Sequence, residues 1–191
     1  MIYDPPFRVI EDFLPKKYFY LIKNEILGIN FPWYFRDNIT DNNKNIDNRE
    51  YGFSHKIYDR ENNYSSSFHH ILTGLYCNIL EITEKENIDR CRLDMTTYGG
   101  EKFLHKYHVD LYKPHIACVF YINNSDGKTV LYDKKCFSSS DLENVNPDCL
   151  TEMIRIKPEE NKLLIFDGSY LHTGQSPSNY KRRIVLNVDV S

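Results

Sequence analysis

The segment Thr97 to Asn123, TYGGEKFLHKYHVDLYKPHIACVFYIN, carries His108 and Asp110 two residues apart, ahead of an apolar run of strand type. Alternate side chains of an extended strand share a face, so these two point together while Val109 points away. An imidazole and a carboxylate on one face are half of a metal site. A facial triad for iron(II) needs one more histidine and leaves the opposite coordination face open to ligands that react. Working outward, the candidate is His172 in Lys162 to Gln175, KLLIFDGSYLHTGQ.

The pair alone is weak evidence, because seven histidines and fifteen aspartates in 191 residues give about half of one His-x-Asp by chance. The downstream chain is more specific. An apolar strand, Leu163 to Phe166, delivers His172 after a turn at Asp167-Gly168-Ser169, and Arg183 opens a last strand, RIVLNVDV, eleven residues beyond His172. From about Asp94 to the C-terminus this order resembles the 2-oxoglutarate and Fe(II)-dependent oxygenase superfamily, in its prolyl-hydroxylase-type branch. Tyr98 in a Tyr-Gly-Gly turn ten residues before His108, the strand end Tyr121-Ile122-Asn123, the segment Gly127 to Tyr132 and His172-Thr173-Gly174 carry the likeness. Lys128 replaces a usual second glycine, and Asn161 stands where a glycine commonly precedes the distal-histidine strand. Loop geometry is expected to differ there, and the ligands are not. The N-terminal VIEDFLPKKYF, with IKNEIL and FPWYF after it, also resembles small bacterial and phage oxygenases of this kind.

The resemblance implies a double-stranded β-helix, a jelly-roll or cupin-like barrel, here backed by N-terminal helices. It implies Fe(II) held by His108, Asp110 and His172, with 2-oxoglutarate and O2 as co-substrates and ascorbate as a stimulant. Asp110 argues against the halogenase variant, which lacks that carboxylate. The distal carboxylate of 2-oxoglutarate needs a cation, and arginine's planar fork suits it. Arg182 and Arg183 compete for that role. The last strand favours Arg183, whose phase carries Val185 and Asn187 inward instead of Ile184 and Leu186. Tyr121 shares parity with Val119 and Ala117 and can serve the same carboxylate from the interior, while Tyr98 matches the family's pocket tyrosine.

The implied activity is oxidative decarboxylation of 2-oxoglutarate coupled to hydroxylation of a prolyl or other residue of a peptide, or of a free amino acid. The alternatives are a nucleic-acid demethylase of the same superfamily, a cupin-type metal isomerase with no need of an arginine–tyrosine clamp, and a non-catalytic binding module. In Ile88 to Tyr98, parity puts Cys91, Leu93 and Met95 on one face and Arg92, Asp94, Thr96 and Tyr98 on the other, with Arg90 in the same phase. Charges inside a barrel are costly unless they meet each other or a ligand. Arg92 and Asp94 are therefore the candidate substrate residues, with the Asn-rich loop Asp37 to Asn48 as a candidate lid.

Length fits one domain over 1–191, read as a helical support region, 1–87, and a barrel with the metal site, 88–191. A net charge of −3 gives no global attraction to nucleic acid. Five cysteines without Cys-x-x-Cys spacing read as reduced thiols. With no leader-like start and no long apolar run, the expectation is a soluble protein of the cytoplasm, or of the host cytoplasm if viral.

The spacing predicts a strand over Phe7 to Phe13, a helix over Lys16 to Leu27, and strands at Phe31 to Phe35 and Tyr51 to Tyr58. A helix of about seventeen residues carries Phe68, Ile71, Leu72, Leu75, Ile79 and Ile82 on one face, started by the Ser65-Ser66-Ser67 cluster. His69 and His70 read as solvated on it, and His105 as a surface residue or one that packs behind the metal ligands. Strands at Ile88 to Tyr98, His115 to Asn123, Thr129 to Tyr132 and Met153 to Ile156 complete an antiparallel pattern without βαβ alternation.

Overall fold

The computed structural model describes residues 6–40 and 47–191. In chain order it contains β1 (Phe7–Ile10), α1 (Lys16–Leu27), β2 (Tyr34–Arg36), β3 (Gly52–Asp59), β4 (Tyr64–Ser65), α2 (Thr73–Thr83), β5 (Ile88–Thr97) and β6 (Ile116–Tyr121). There follow β7 (Thr129–Lys135), α3 (Ser139–Glu143), β8 (Glu152–Ile156), β9 (Leu163–Asp167), β10 (Tyr170–Gly174) and β11 (Arg182–Val190). An eight-stranded sheet in the order β1-β9-β6-β11-β5-β3-β2, with β4 on β3, faces a smaller sheet, β10-β7-β8. The pairings are antiparallel.

Period two sorts the central strands between two cores. Cys118 and Phe120 of β6, Leu163 and Ile165 of β9, and Ile184, Leu186 and Val188 of β11 pack under Phe19, Ile22 and Ile26 of α1 and Leu75 and Ile79 of α2. Their neighbours Ala117, Val119, Tyr121, Leu164, Phe166 and Val185 turn the other way and meet Leu131 and Ile156 of the smaller sheet. Both faces of β6 are covered, so every residue of that strand is buried. This second core is the barrel interior in which the site lies.

Two expectations change. Region 1–87 is more than helical support, because β1 to β4 extend the large sheet, β1 on β9 and β3 on β5. The helix predicted over Phe68 to Ile82 is divided: a 3-10 turn at His69–Leu72 precedes α2. The cause is Tyr18, whose hydroxyl donates to the Ile71 carbonyl at 2.8 Å and accepts from the Leu75 N–H at 3.1 Å. Those are the two groups that a continuous helix would pair with each other, so the inserted hydroxyl breaks the ladder. Gly74 makes the insertion possible, since a Cβ there would stand 3.0 Å from the Tyr18 ring. His69 is only half-buried and stacks on Tyr58, with ring centroids 4.8 Å apart.

Asn161 answers the loop question raised by its sequence. Its φ of 64° is the left-handed conformation that a glycine would adopt there, which asparagine tolerates. Its side chain accepts from the Leu14 N–H at 2.9 Å and donates to the Leu14 carbonyl at 2.8 Å, tying the start of β9 to the N-terminal segment. Among the described residues no helix is long and apolar enough to cross a membrane.

Candidate metal centre and anion clamp

His108 and Asp110 do not lie on a regular strand. The chain from Tyr98 to His115 is an irregular connection between β5 and β6 that meets β10 at an isolated bridge, His108 with His172, and the residue after β10 at another, Leu104 with Gln175. At the second bridge each backbone N–H donates to the other's carbonyl, at 2.9 and 3.0 Å. Directly opposed residues of an antiparallel pair project side chains to one face. The two imidazoles accordingly lie with centroids 4.5 Å apart. Asp110, in a bend two residues on, sends Oδ2 to within 3.2 Å of His172 Nε2. One ligand atom from each of His108, Asp110 and His172 falls within 4.8 Å of the others.

The protonation states suit a cation. Each histidine donates Nδ1–H to the carbonyl two residues before it, His108 to Lys106 at 3.3 Å and His172 to Tyr170 at 3.2 Å. A carbonyl can only accept, so Nδ1 of each ring carries a proton and Nε2 is the ring atom turned to the centre. Burial, together with the neighbouring His172, pushes His108 down to about 3, so its ring is neutral near pH 7. Burial alone would raise Asp110, yet the adjacent Arg90 guanidinium and the two histidines hold it well below the usual carboxylate range. Two imidazoles and one carboxylate on one face fit Fe(II).

A cavity of about 60 Å³ adjoins this cluster, with Arg92, Asp94, Thr129, Arg183 and Asn187 among its walls. Arg183 is 6 % exposed. Its Nη2 donates to Thr129 Oγ1 at 2.8 Å, and the Tyr121 hydroxyl donates to the same oxygen at 2.7 Å. Both acceptor sites of Thr129 are then filled, which leaves its own O–H as a donor toward the cavity. Arg183 Nε is buried with no hydrogen-bond partner. A buried guanidinium with an unused N–H is costly unless an anion completes it, so the fit to a carboxylate of 2-oxoglutarate is direct. Burial raises Tyr121 to about 12 against the pull of Arg183 and Thr129, so it stays a hydroxyl donor. Glycine at 174 admits the guanidinium, since a Cβ there would stand 3.1 Å from Nη1. Arg182, one residue earlier, is exposed.

Farther along β5 and β11 the same wall is polar. Asp94 Oδ2 accepts from Asn187 Nδ2 at 2.6 Å and from Arg92 Nε at 3.0 Å. Asp94 Oδ1 is also 3.0 Å from that nitrogen but out of line for a hydrogen bond, and it is buried without a partner. Arg92 lines two further cavities, of about 250 and 210 Å³, the second of them bordered by His108 and Asp110. Ile39 and Thr40 border the cavity from the Asn-rich loop, whose residues 41–46 lie outside the described ones.

His108, His172, Arg183, Arg92 and Asp94 thus line one cavity, with Asp110 against His172 and Tyr121 joined to it through the Thr129 hydroxyl. Tyr98 does not line it: it follows the last residue of β5, is 56 % exposed and is absent from the cavity wall. It fails because its N–H is bonded to the Lys181 carbonyl at the open end of the β5–β11 ladder, beyond the covered interior. His105 takes the second of the two places expected for it, behind the ligands and not at the surface. It is buried, bonded to Glu50 through Nδ1 at 3.1 Å and to Ser176 through Nε2 at 2.9 Å, and it lines the cavity. Thr129 was not singled out by the sequence, and only its place at the start of the Thr129–Tyr132 strand marked it.

No protein-family model matches the sequence, and no curated protein matches it either. Solved structures do share the fold. A prolyl hydroxylase from Trichoplax adhaerens, in complex with a hypoxia inducible factor oxygen degradation domain peptide fragment, aligns over 97 % of this chain and 83 % of its own at 14 % identity, TM-score 0.64. An oxidoreductase of the 2OG-Fe(II) oxygenase family from Burkholderia pseudomallei aligns over 100 % and 87 % at 11 % identity, TM-score 0.67. A non-heme alpha ketoglutarate dependent epimerase from nogalamycin biosynthesis aligns over 97 % and 76 % at 6 % identity, TM-score 0.65. At these identities the likeness establishes the architecture, a double-stranded β-helix.

Proposed function

We propose that this chain is an Fe(II)- and 2-oxoglutarate-dependent dioxygenase that hydroxylates a polar substrate, a residue of a peptide or a free amino acid. One observation carries the reading: a His-Asp-His set within 4.8 Å and a buried arginine with an unpartnered Nε border the same interior. His108, Asp110 and His172 hold the metal, and Arg183, Thr129 and Tyr121 form the clamp for the distal carboxylate of 2-oxoglutarate. When bound, the iron and the keto acid supply the oxidising chemistry, with O2 consumed as 2-oxoglutarate becomes succinate and carbon dioxide. The chain supplies position and exclusion of water; no side chain has to act as a strong acid or base.

Arg92 and Asp94 are assigned to the substrate. Asp94 Oδ1 is in ionic contact with Arg92 at 3.0 Å but accepts no hydrogen bond, so it can accept one from a substrate N–H or O–H. The peptide held by the Trichoplax hydroxylase and the different outcome named for the epimerase bracket what this fold hosts. Hydroxylation is favoured by the likeness of motif order to the prolyl-hydroxylase branch. A metal isomerase or a non-catalytic module has no use for the Arg183 clamp, and the net charge of −3 gives nucleic acid no general pull.

The test is anaerobic addition of Fe(II) and 2-oxoglutarate, which should produce the weak visible charge-transfer band of a chelated keto acid. Replacing His108, Asp110 or His172 by alanine should remove the band and reduce succinate formation to background. A folded wild-type protein that gives no band and no 2-oxoglutarate-dependent rise in melting temperature would sink the reading.

A further inference from the structure

The metal-ligand carboxylate is held from behind. Arg90 of β5 places its guanidinium between two buried carboxylates, with Nη2 donating to Asp110 Oδ1 and Nε donating to Asp189 Oδ2, the latter at 2.8 Å. Asp189 is 1 % exposed and stands directly across the β5–β11 ladder from Arg90, so the register of two central strands fixes the arginine. The two oxygens of Asp110 are divided between partners. Oδ1 faces Arg90, and Oδ2 faces His172 Nε2 at 3.2 Å.

We propose that Arg90 is a positioning residue that makes Asp110 a one-oxygen metal ligand. A carboxylate free to turn could offer both oxygens to the ion. With two histidines it would then fill four octahedral positions and leave two. A chelating keto acid takes two positions and O2 a third, so the reaction needs Asp110 to occupy only one. Arginine does this where lysine would not, because its rigid fork reaches Asp110 and Asp189 along separate N–H directions. Asp189 completes the arrangement by keeping Nη2 turned to the metal side. The inference rests on the metal assignment made above.

The experiment uses Co(II) as a stand-in for Fe(II) in the full chain, because the intensity of its visible bands reports coordination number and needs no turnover. Wild type should bind Co(II) with the weak bands of a six-coordinate ion. Arg90→Gln should weaken Co(II) affinity about 10- to 100-fold, the range found when partners of metal ligands are removed, and should change the band intensity. Arg90→Lys should recover part of the affinity but not the wild-type spectrum, a split that a purely structural role would not produce. Asp189→Asn, which leaves Arg90 in place, should weaken affinity several-fold and stands in if Arg90→Gln does not fold. The inference is overturned if folded Arg90→Gln, or in its absence Asp189→Asn, binds Co(II) within twofold of wild type with an unchanged spectrum. Failure of wild type itself to bind Co(II) would instead overturn the metal assignment.

Discussion

Arg183 and Thr129, 54 residues apart, are joined inside the barrel by a 2.8 Å hydrogen bond that turns the guanidinium along the cavity wall and leaves its Nε without a partner. Charge-assisted hydrogen bonds of this kind are worth about 1.5–3 kcal/mol each. Arg183→Ala should therefore raise the apparent constant for 2-oxoglutarate about 100-fold, and Thr129→Val about tenfold, in a succinate-release assay. Exposed Arg182→Ala should stay within twofold of wild type. A strong effect at Arg182 with none at Arg183 would show the clamp to be wrongly assigned.

Arg92→Ala and Asp94→Ala should preserve the charge-transfer band and the slow succinate release seen without substrate. They should abolish the stimulation of that release by the true substrate, found by screening peptide, amino-acid and oligonucleotide pools. Full stimulation in both variants would move recognition to the loops.

Asp189 gives a pH prediction for the metal-free protein. Burial first, then repulsion by Asp110, raises it to about 6 against the attraction of Arg90. Its folded value is above its unfolded one, so the folded state binds the extra proton between roughly pH 4 and 6. The stability this confers is complete below about pH 4 and declines as pH rises through about 6. Asp189→Asn lacks that decline, so its melting temperature relative to wild type should rise by a few degrees from pH 4 to pH 7. A constant difference across that range would contradict the raised value.

Asn161 separates backbone strain from hydrogen bonding. Asn161→Gly keeps the left-handed φ of 64° but loses both bonds to Leu14, whereas Asn161→Ala loses the bonds and strains the backbone as well. Chemical denaturation should show alanine the more destabilising by about 1 kcal/mol. Equal losses would mean that the conformation at 161 carries no cost.

Strand phase was legible because it is a local property. The alternation of β5 and of Arg183, Val185 and Asn187 against Ile184, Leu186 and Val188 follows from apolar side chains needing a covered face, and the two cores sort them as the period requires. The order His108, Asp110, His172, Arg183 was legible for the same reason: each is a marked residue at a definable place on or beside a strand.

What the sequence could not specify were relationships between distant segments. Parity was the wrong ground for pairing His108 with Asp110, since that segment is irregular, and it is the mutual hydrogen bonds to His172 that bring the rings together. The Tyr18 hydroxyl that divides the predicted helix comes from 53 residues before Ile71. Arg90 finds Asp189 across 99 residues, and Tyr98 leaves the interior because the β5–β11 ladder ends before it. A side chain's rotation about its own backbone is fixed by neighbours in sequence, whereas its partner is fixed by which strands become adjacent, and only the folded chain decides that.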